Sequence, residues 1–150
     1  MTALVGHPAT LFEPTSDAKV RCTACARYCT IPDGSHGFCF VRKNVGGRLL
    51  LLSYGKASAV QVDPIEKKPL SHFHPGTRVY SIGTVGCNWR CAYCQNAEIS
   101  QEHEVVGRSL PPRVAVAEAT KFGCSGVTFT YNEPYIFAEY ALDVIQEAHA

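Results

Sequence analysis

The spacing of apolar residues in this chain changes near residue 79. Beyond it, two regular periods appear. Residues 126–131 set Val127, Phe129 and Tyr131 against Thr128 and Thr130, an alternation that predicts a strand. Ile136, Phe137, Tyr140, Ala141, Val144, Ile145 and Ala148 then keep helical spacing, with Glu139, Asp143 and Glu147 opposite. Upstream, 79–85 is an apolar run of strand length, and 110–122 reads as a helix with Pro111 and Pro112 in its first turn and Gly123 as its stop. Strand, helix, strand, helix predicts parallel strands covered by helices.

Before residue 79 the pattern is broken. Residues 1–20 show no period. Residues 21–47 are rich in turn formers (Pro32-Asp33-Gly34, Gly37, Asn44-Val45-Gly46-Gly47) and short of large apolar side chains. Strands are expected at 48–54 and 57–62, and a polar, proline-punctuated connection follows. The expected organisation is a lead-in (1–20), a cysteine-rich module with a β connector (21–78), and an α/β segment (79–150).

Composition narrows the class. The chain has 150 residues, 46% hydrophobic and 18% charged, with a net charge of +1 and no basic block. It is expected to be globular, and nothing in its charge points to nucleic acid or an anionic membrane. Its start lacks a basic stretch followed by a long apolar run, and its longest aliphatic run, 49–52, is far short of a membrane span. A cytoplasmic protein is expected.

Eight cysteines change the picture. In a reducing compartment, close spacing favours metal over disulfides. Cys87, Cys91 and Cys94 are spaced C-x3-C-x2-C on the loop after the 79–85 strand. Three thiolates on one loop can hold three corners of an iron–sulfur cube and leave the fourth iron open, where electron-transfer clusters are closed by four cysteines. Cys22, Cys25, Cys29 and Cys39 form a second set that could hold zinc or an auxiliary cluster, with His36 able to replace one thiol. In so small a module a metal could replace burial as the source of order, since structural zinc contributes about 10–16 kcal/mol in finger peptides. Cys124 reads as a small buried residue. Asp63, Glu66, Lys67, Lys68, His72 and His74 form a dense polar stretch, either a solvated connector or a substrate-facing segment.

The strings Cys-Asn-Trp-Arg-Cys-Ala-Tyr-Cys-Gln-Asn, Val-Asp-Pro-Ile-Glu-Lys-Lys-Pro-Leu and Thr-Tyr-Asn-Glu-Pro resemble the radical S-adenosylmethionine (SAM) superfamily. Within it they resemble the AmmeMemoRadiSam-system proteins, relatives of the pyruvate formate-lyase activating enzymes. The resemblance runs from about residue 20 to the end. It implies the start of a partial (β/α) barrel, two βα units long, preceded by the cysteine-rich β module. It also implies that Cys87, Cys91 and Cys94 ligate a four-iron, four-sulfur (4Fe–4S) cluster whose open iron binds SAM. Tyr93 matches the aromatic position that meets the adenine; Asn132 and Glu133 stand where relatives meet the SAM ammonium. The implied activity is reductive cleavage of SAM to a 5′-deoxyadenosyl radical that abstracts hydrogen from an unknown substrate, small molecule or protein, with an electron from a reductant. No residue is singled out as a catalytic acid or base. Two βα units are fewer than such barrels carry, so the chain is expected to be part of a longer enzyme and inactive alone. The competing expectation is a non-catalytic, cysteine-rich metal-binding module serving a partner protein.

Overall fold

A computed structural model describes residues 6–150. Four short strands open the chain: β1 (His7–Pro8), β2 (Phe12–Pro14), β3 (Val20–Cys22) and β4 (Thr30–Ile31). The hairpin β5 (Arg42–Val45) and β6 (Arg48–Leu51) follows, then β7 (Lys56–Ala57) and β8 (Ala59–Pro64). The remainder is β9 (Arg78–Gly83), α1 (Ala97–Ser100), β10 (Arg108–Ser109), α2 (Pro112–Lys121), β11 (Gly126–Phe129) and α3 (Ala138–His149). The architecture is mixed α/β.

Two antiparallel sheets, β2–β3–β4 and β1–β6–β5, carry the first half of the chain, and β7 pairs with β10. The third three-stranded sheet, β8–β9–β11, positions the site. β9 lies at its centre, with Val79 to Gly83 buried, as a strand covered on both faces should be. β11 runs parallel to it in the register Gly126 to Val79 through Phe129 to Ile82. The intervening chain crosses back through α2, which packs against α3 and β11.

Local signals set the helix bounds. Pro112 occupies the first turn of α2, where its missing N–H costs nothing. At the other end Gly123 takes φ +64°; its N–H bonds to Thr120 and that of Cys124 to Ala119. This is the paired-bond termination that a left-handed glycine permits. Residues 134–137 form a 3-10 turn, with Pro134 in its first position, before α3 begins at Ala138.

Long-range packing alters the expected layout. β8, within the 21–78 segment, pairs antiparallel with β9 along its whole length, Ala59 to Gly83 through Pro64 to Arg78. The two segments therefore share a sheet. A continuous apolar core extends from Ala9 and Val20 through Leu51 and Tyr80 to Phe137 and Val144. The strand expected at 48–54 ends at Leu51, with residues 52–55 turning to start the short β7. The strand expected at 126–131 ends at Phe129, because Tyr131 takes φ +73° and leaves the sheet direction. No helix among the described residues is long and apolar enough to cross a membrane.

Candidate functional site: a three-thiol cavity

At the C-terminal end of β9 the chain turns through Thr84–Gly86 into the loop that carries Cys87, Cys91 and Cys94. Gly86 has φ +79°, and a Cβ there would overlap the Cys39 carbonyl oxygen. Only glycine allows the three-thiol loop to press this closely on the four-cysteine segment. β11 ends beside β9, so its following turn, Tyr131–Glu133, reaches the same mouth. Ligands of parallel α/β sheets bind at this end of the strands.

Asn132 ties the two turns together. Its buried amide donates to the carbonyl of Gly86 at 2.8 Å and to Thr84 Oγ1 at 3.0 Å, and its Oδ1 accepts the Thr84 N–H at 3.3 Å. Asn96, two residues past Cys94, donates to the Tyr131 carbonyl at 3.2 Å. The result is a cavity of about 220 Å³ whose wall includes all three thiols, Ser100, Tyr131 and Glu133. Cys94 Sγ stands 3.2 Å from Ser100 Oγ, and the Trp89 N–H points at Cys87 Sγ at 3.5 Å. Cys87 is buried, Cys94 half-buried and Cys91 exposed. Glu133 is half-buried, and its carboxylate has no hydrogen-bonded or charged partner among the described residues.

The donor set suits an iron–sulfur cube. Among the described residues no three His, Cys, Asp or Glu side chains converge on a single ion. A cube does not ask for that: each thiolate takes its own iron corner, so the thiols must ring a cavity rather than meet at a point. The three on this wall do so.

The other cysteine set lies directly behind the loop. Cys22, Cys25, Cys29 and Cys39 surround a water-sized cavity of about 10 Å³, next to Asn88. Burial pushes the Cys22 thiol up, and that of Cys39 to about 11. A ligating cation would have to offset that cost by holding the thiolate. His36 is absent from that wall; its backbone forms an antiparallel β-bridge with Lys43. The two sets are joined by contacts as well as by Gly86. Arg27 donates to the Asn88 carbonyl at 2.5 Å, and Arg27 and Arg90 lie over the Phe38 ring at 3.5 Å and 4.7 Å.

The remaining candidates divide. Tyr93 is 90% exposed and off the cavity wall. Trp89 and Tyr131 are the aromatic residues that line it; both lie within the quoted strings, which was the available signal, but neither was read as a site residue. Asn132 also lines the cavity, while its amide donates to Thr84 Oγ1 and the Gly86 carbonyl and so ties the two turns together. The polar stretch is not uniformly solvated. Asp63 is buried and accepts from Lys67 at 2.8 Å, Lys68 at 2.7 Å, Ser81 at 2.8 Å and the Tyr131 hydroxyl at 3.3 Å. Burial alone would raise its carboxyl, but Lys67, Lys68 and Ser81 outweigh it and hold the group well below the usual carboxylate range. Through Tyr131 this network touches the cavity. His72 and His74 are exposed, and Glu66 accepts the Gly76 N–H at 2.6 Å.

The model of the Radical SAM superfamily matches residues 81–150. An uncharacterized protein of Methanocaldococcus jannaschii is 44% identical over 137 residues, covering 90% of this chain and 41% of that protein. The chain thus spans about two fifths of the length of that curated relative. No solved structure matches. Residues 81–150, which carry the three-thiol loop and the Asn132–Glu133 turn, are thus the part of the chain that is similar to the radical SAM superfamily.

Proposed function

We propose that this chain is the N-terminal part of a radical SAM enzyme of the AmmeMemoRadiSam type, and that residues 79–150 begin its partial barrel. Cys87, Cys91 and Cys94 would hold a 4Fe–4S cluster through three irons and leave the fourth for SAM. When bound, the pair supplies one-electron reductive cleavage of SAM to methionine and a 5′-deoxyadenosyl radical that abstracts hydrogen from substrate. Glu133, facing the cavity without a cation of its own, would take the SAM ammonium. Asn132 and Asn96 hold the two turns at fixed separation, and Tyr131, anchored on Asp63, closes one wall against water. The observation that carries the reading is the meeting of three thiols and an unpartnered carboxylate on one cavity at the C-terminal ends of parallel strands.

For the four-cysteine set we propose a structural metal. A water-sized cavity is closer to one zinc ion than to a second cube, although the thiols must draw inward to about 2.3 Å from it. An external reductant and a substrate complete the reaction. Eight free thiols suit a reducing, cytoplasmic setting.

Anaerobic reconstitution tests this. The expected result is about four irons and four sulfides per chain, lost in Cys87→Ala, Cys91→Ala and Cys94→Ala together, and a SAM-induced change in the spectrum of the reduced cluster that Glu133→Ala abolishes. Zinc without iron, unchanged by those substitutions, would leave the metal-binding module serving a partner as the function.

A further inference from the structure

Beside the three-thiol cavity lies a second cleft, of about 420 Å³, within the range that holds small ligands. One side is the 23–28 segment of the four-cysteine set; the other is Asn88, Trp89, Glu133 and Tyr135. Trp89 and Glu133 also line the three-thiol cavity, so the two spaces share a wall.

Three aromatic side chains face this cleft, and none is there to build the core. Tyr28, Trp89 and Tyr135 are 50%, 57% and 64% exposed. The core aromatics Tyr54, Phe129, Phe137 and Tyr140 pack ring against ring, whereas no such pairing involves these three among the described residues. Tyr28 is moreover held at φ +45°, a left-handed conformation uncommon for a bulky side chain. Arg21 already lies over one face of that ring at 4.7 Å, with its own charge met by Glu13 at 3.1 Å.

Glu133 is the one charged residue on the wall. Three aromatic rings and a carboxylate are a constellation that attracts organic cations, because ring faces and carboxylate are both negative. An anion would be repelled by the carboxylate and by the ring faces. A neutral apolar ligand would strip water from Glu133 and return nothing. We propose that this cleft binds an organic cation, an ammonium or methylated ammonium head on a short apolar stem, and presents that ligand to the three-thiol cavity. A carboxylate has acceptor positions on both oxygens, so Glu133 can serve a cation from each side of the shared wall. Cation binding in the cleft stands on the cleft alone; its use as substrate entry rests on the radical SAM reading.

Trp89 is the single tryptophan of the chain, so fluorescence reports directly on the shared wall. Choline and its neutral carbon isostere, dimethylbutanol, are titrated at constant ionic strength. The chain used is the wild type, Tyr28→Ala, Tyr28→Phe or Tyr135→Ala, each checked for folding by circular dichroism. Choline should change Trp89 emission saturably and bind more tightly than the isostere. Removal of either ring should weaken it about threefold to fivefold, with Tyr28→Phe retaining affinity. Equal response to the isostere, a response without saturation, or unaltered binding by folded Tyr28→Ala and Tyr135→Ala overturns the proposal. SAM titration of the reconstituted variants separates the two readings, because Tyr28 and Tyr135 are off the three-thiol wall. A wild type that binds SAM but not choline sinks only the cleft; one that binds choline but not SAM sinks the enzyme reading and keeps the cation site.

Discussion

Arg42 of β5 and Glu139 of α3 form a double hydrogen bond almost out of contact with water, their side chains 1% and 7% exposed. Arg42 Nε also donates to the Ile136 carbonyl at 2.9 Å, and Glu139 Oε1 accepts the N–H groups of Thr10 and Leu11 at 3.1 Å and 3.3 Å. One ion pair therefore binds the lead-in, the four-cysteine segment and the helix that follows Glu133.

Removing one partner should be worse than removing both. Glu139→Ala leaves a buried guanidinium unpaired and should cost about 3–5 kcal/mol in denaturant unfolding. The double replacement Arg42→Met with Glu139→Leu should cost clearly less than the single change. Equal losses would mean that the pair contributes through packing alone.

Acid should loosen the fold through three carboxylates. Arg108 and Tyr80 lower Glu118 to about 2, while Glu139 and Asp63 lie below their ordinary values because their cationic partners outweigh the effect of burial. A depressed carboxyl adds stability that is fully present above its unfolded pKa, about 4, and is lost as pH falls through the folded value. The melting temperature should therefore hold from pH 7 to 5 and fall steadily from about pH 4 toward 2. In Glu118→Gln that fall should be shallower.

Gly86→Ala should be far more damaging than Gly46→Ala. Both glycines have positive φ, but a Cβ at Gly46 meets nothing, whereas one at Gly86 meets the Cys39 carbonyl. Expected costs are about 1 kcal/mol at Gly46 and at least about 2–3 kcal/mol at Gly86. Gly86→Ala should also lower iron retention in reconstituted protein, since the clash displaces the loop that carries Cys87.

The Asp63 network should behave as buried structure. Asp63→Ala strands Lys68, whose side chain is nearly buried, and should cost about 3 kcal/mol or more. Tyr131→Phe removes only a 3.3 Å hydrogen bond and should cost about 0.5–1.5 kcal/mol. If Asp63→Ala melts like wild type, the stretch is a solvated connector after all.

Much of this protein was legible before folding because the signals are local. Alternation at 126–131, helical spacing after 136, Pro112 and Gly123 each act within a few residues, and the C-x3-C-x2-C spacing puts three thiols on one loop whatever surrounds it. What lay beyond reading was set by contacts between distant segments. The strand at 57–62 was readable, but its pairing with β9 was not; Asp63 looks solvated until Ser81 and Tyr131 close over it. Tyr93 carries the motif, yet the loop turns its ring outward while Trp89 faces the cavity. Asn132 reaches the cavity wall, and its amide also ties down the Thr84–Gly86 turn. The sequence by itself determined the short elements and the clustered thiols, because propensity and spacing are properties of neighbours along the chain. Only the tertiary structure decided which side chains share a wall, because burial and hydrogen-bond partners are chosen when segments about a hundred residues apart, such as those of Arg42 and Glu139, come into contact.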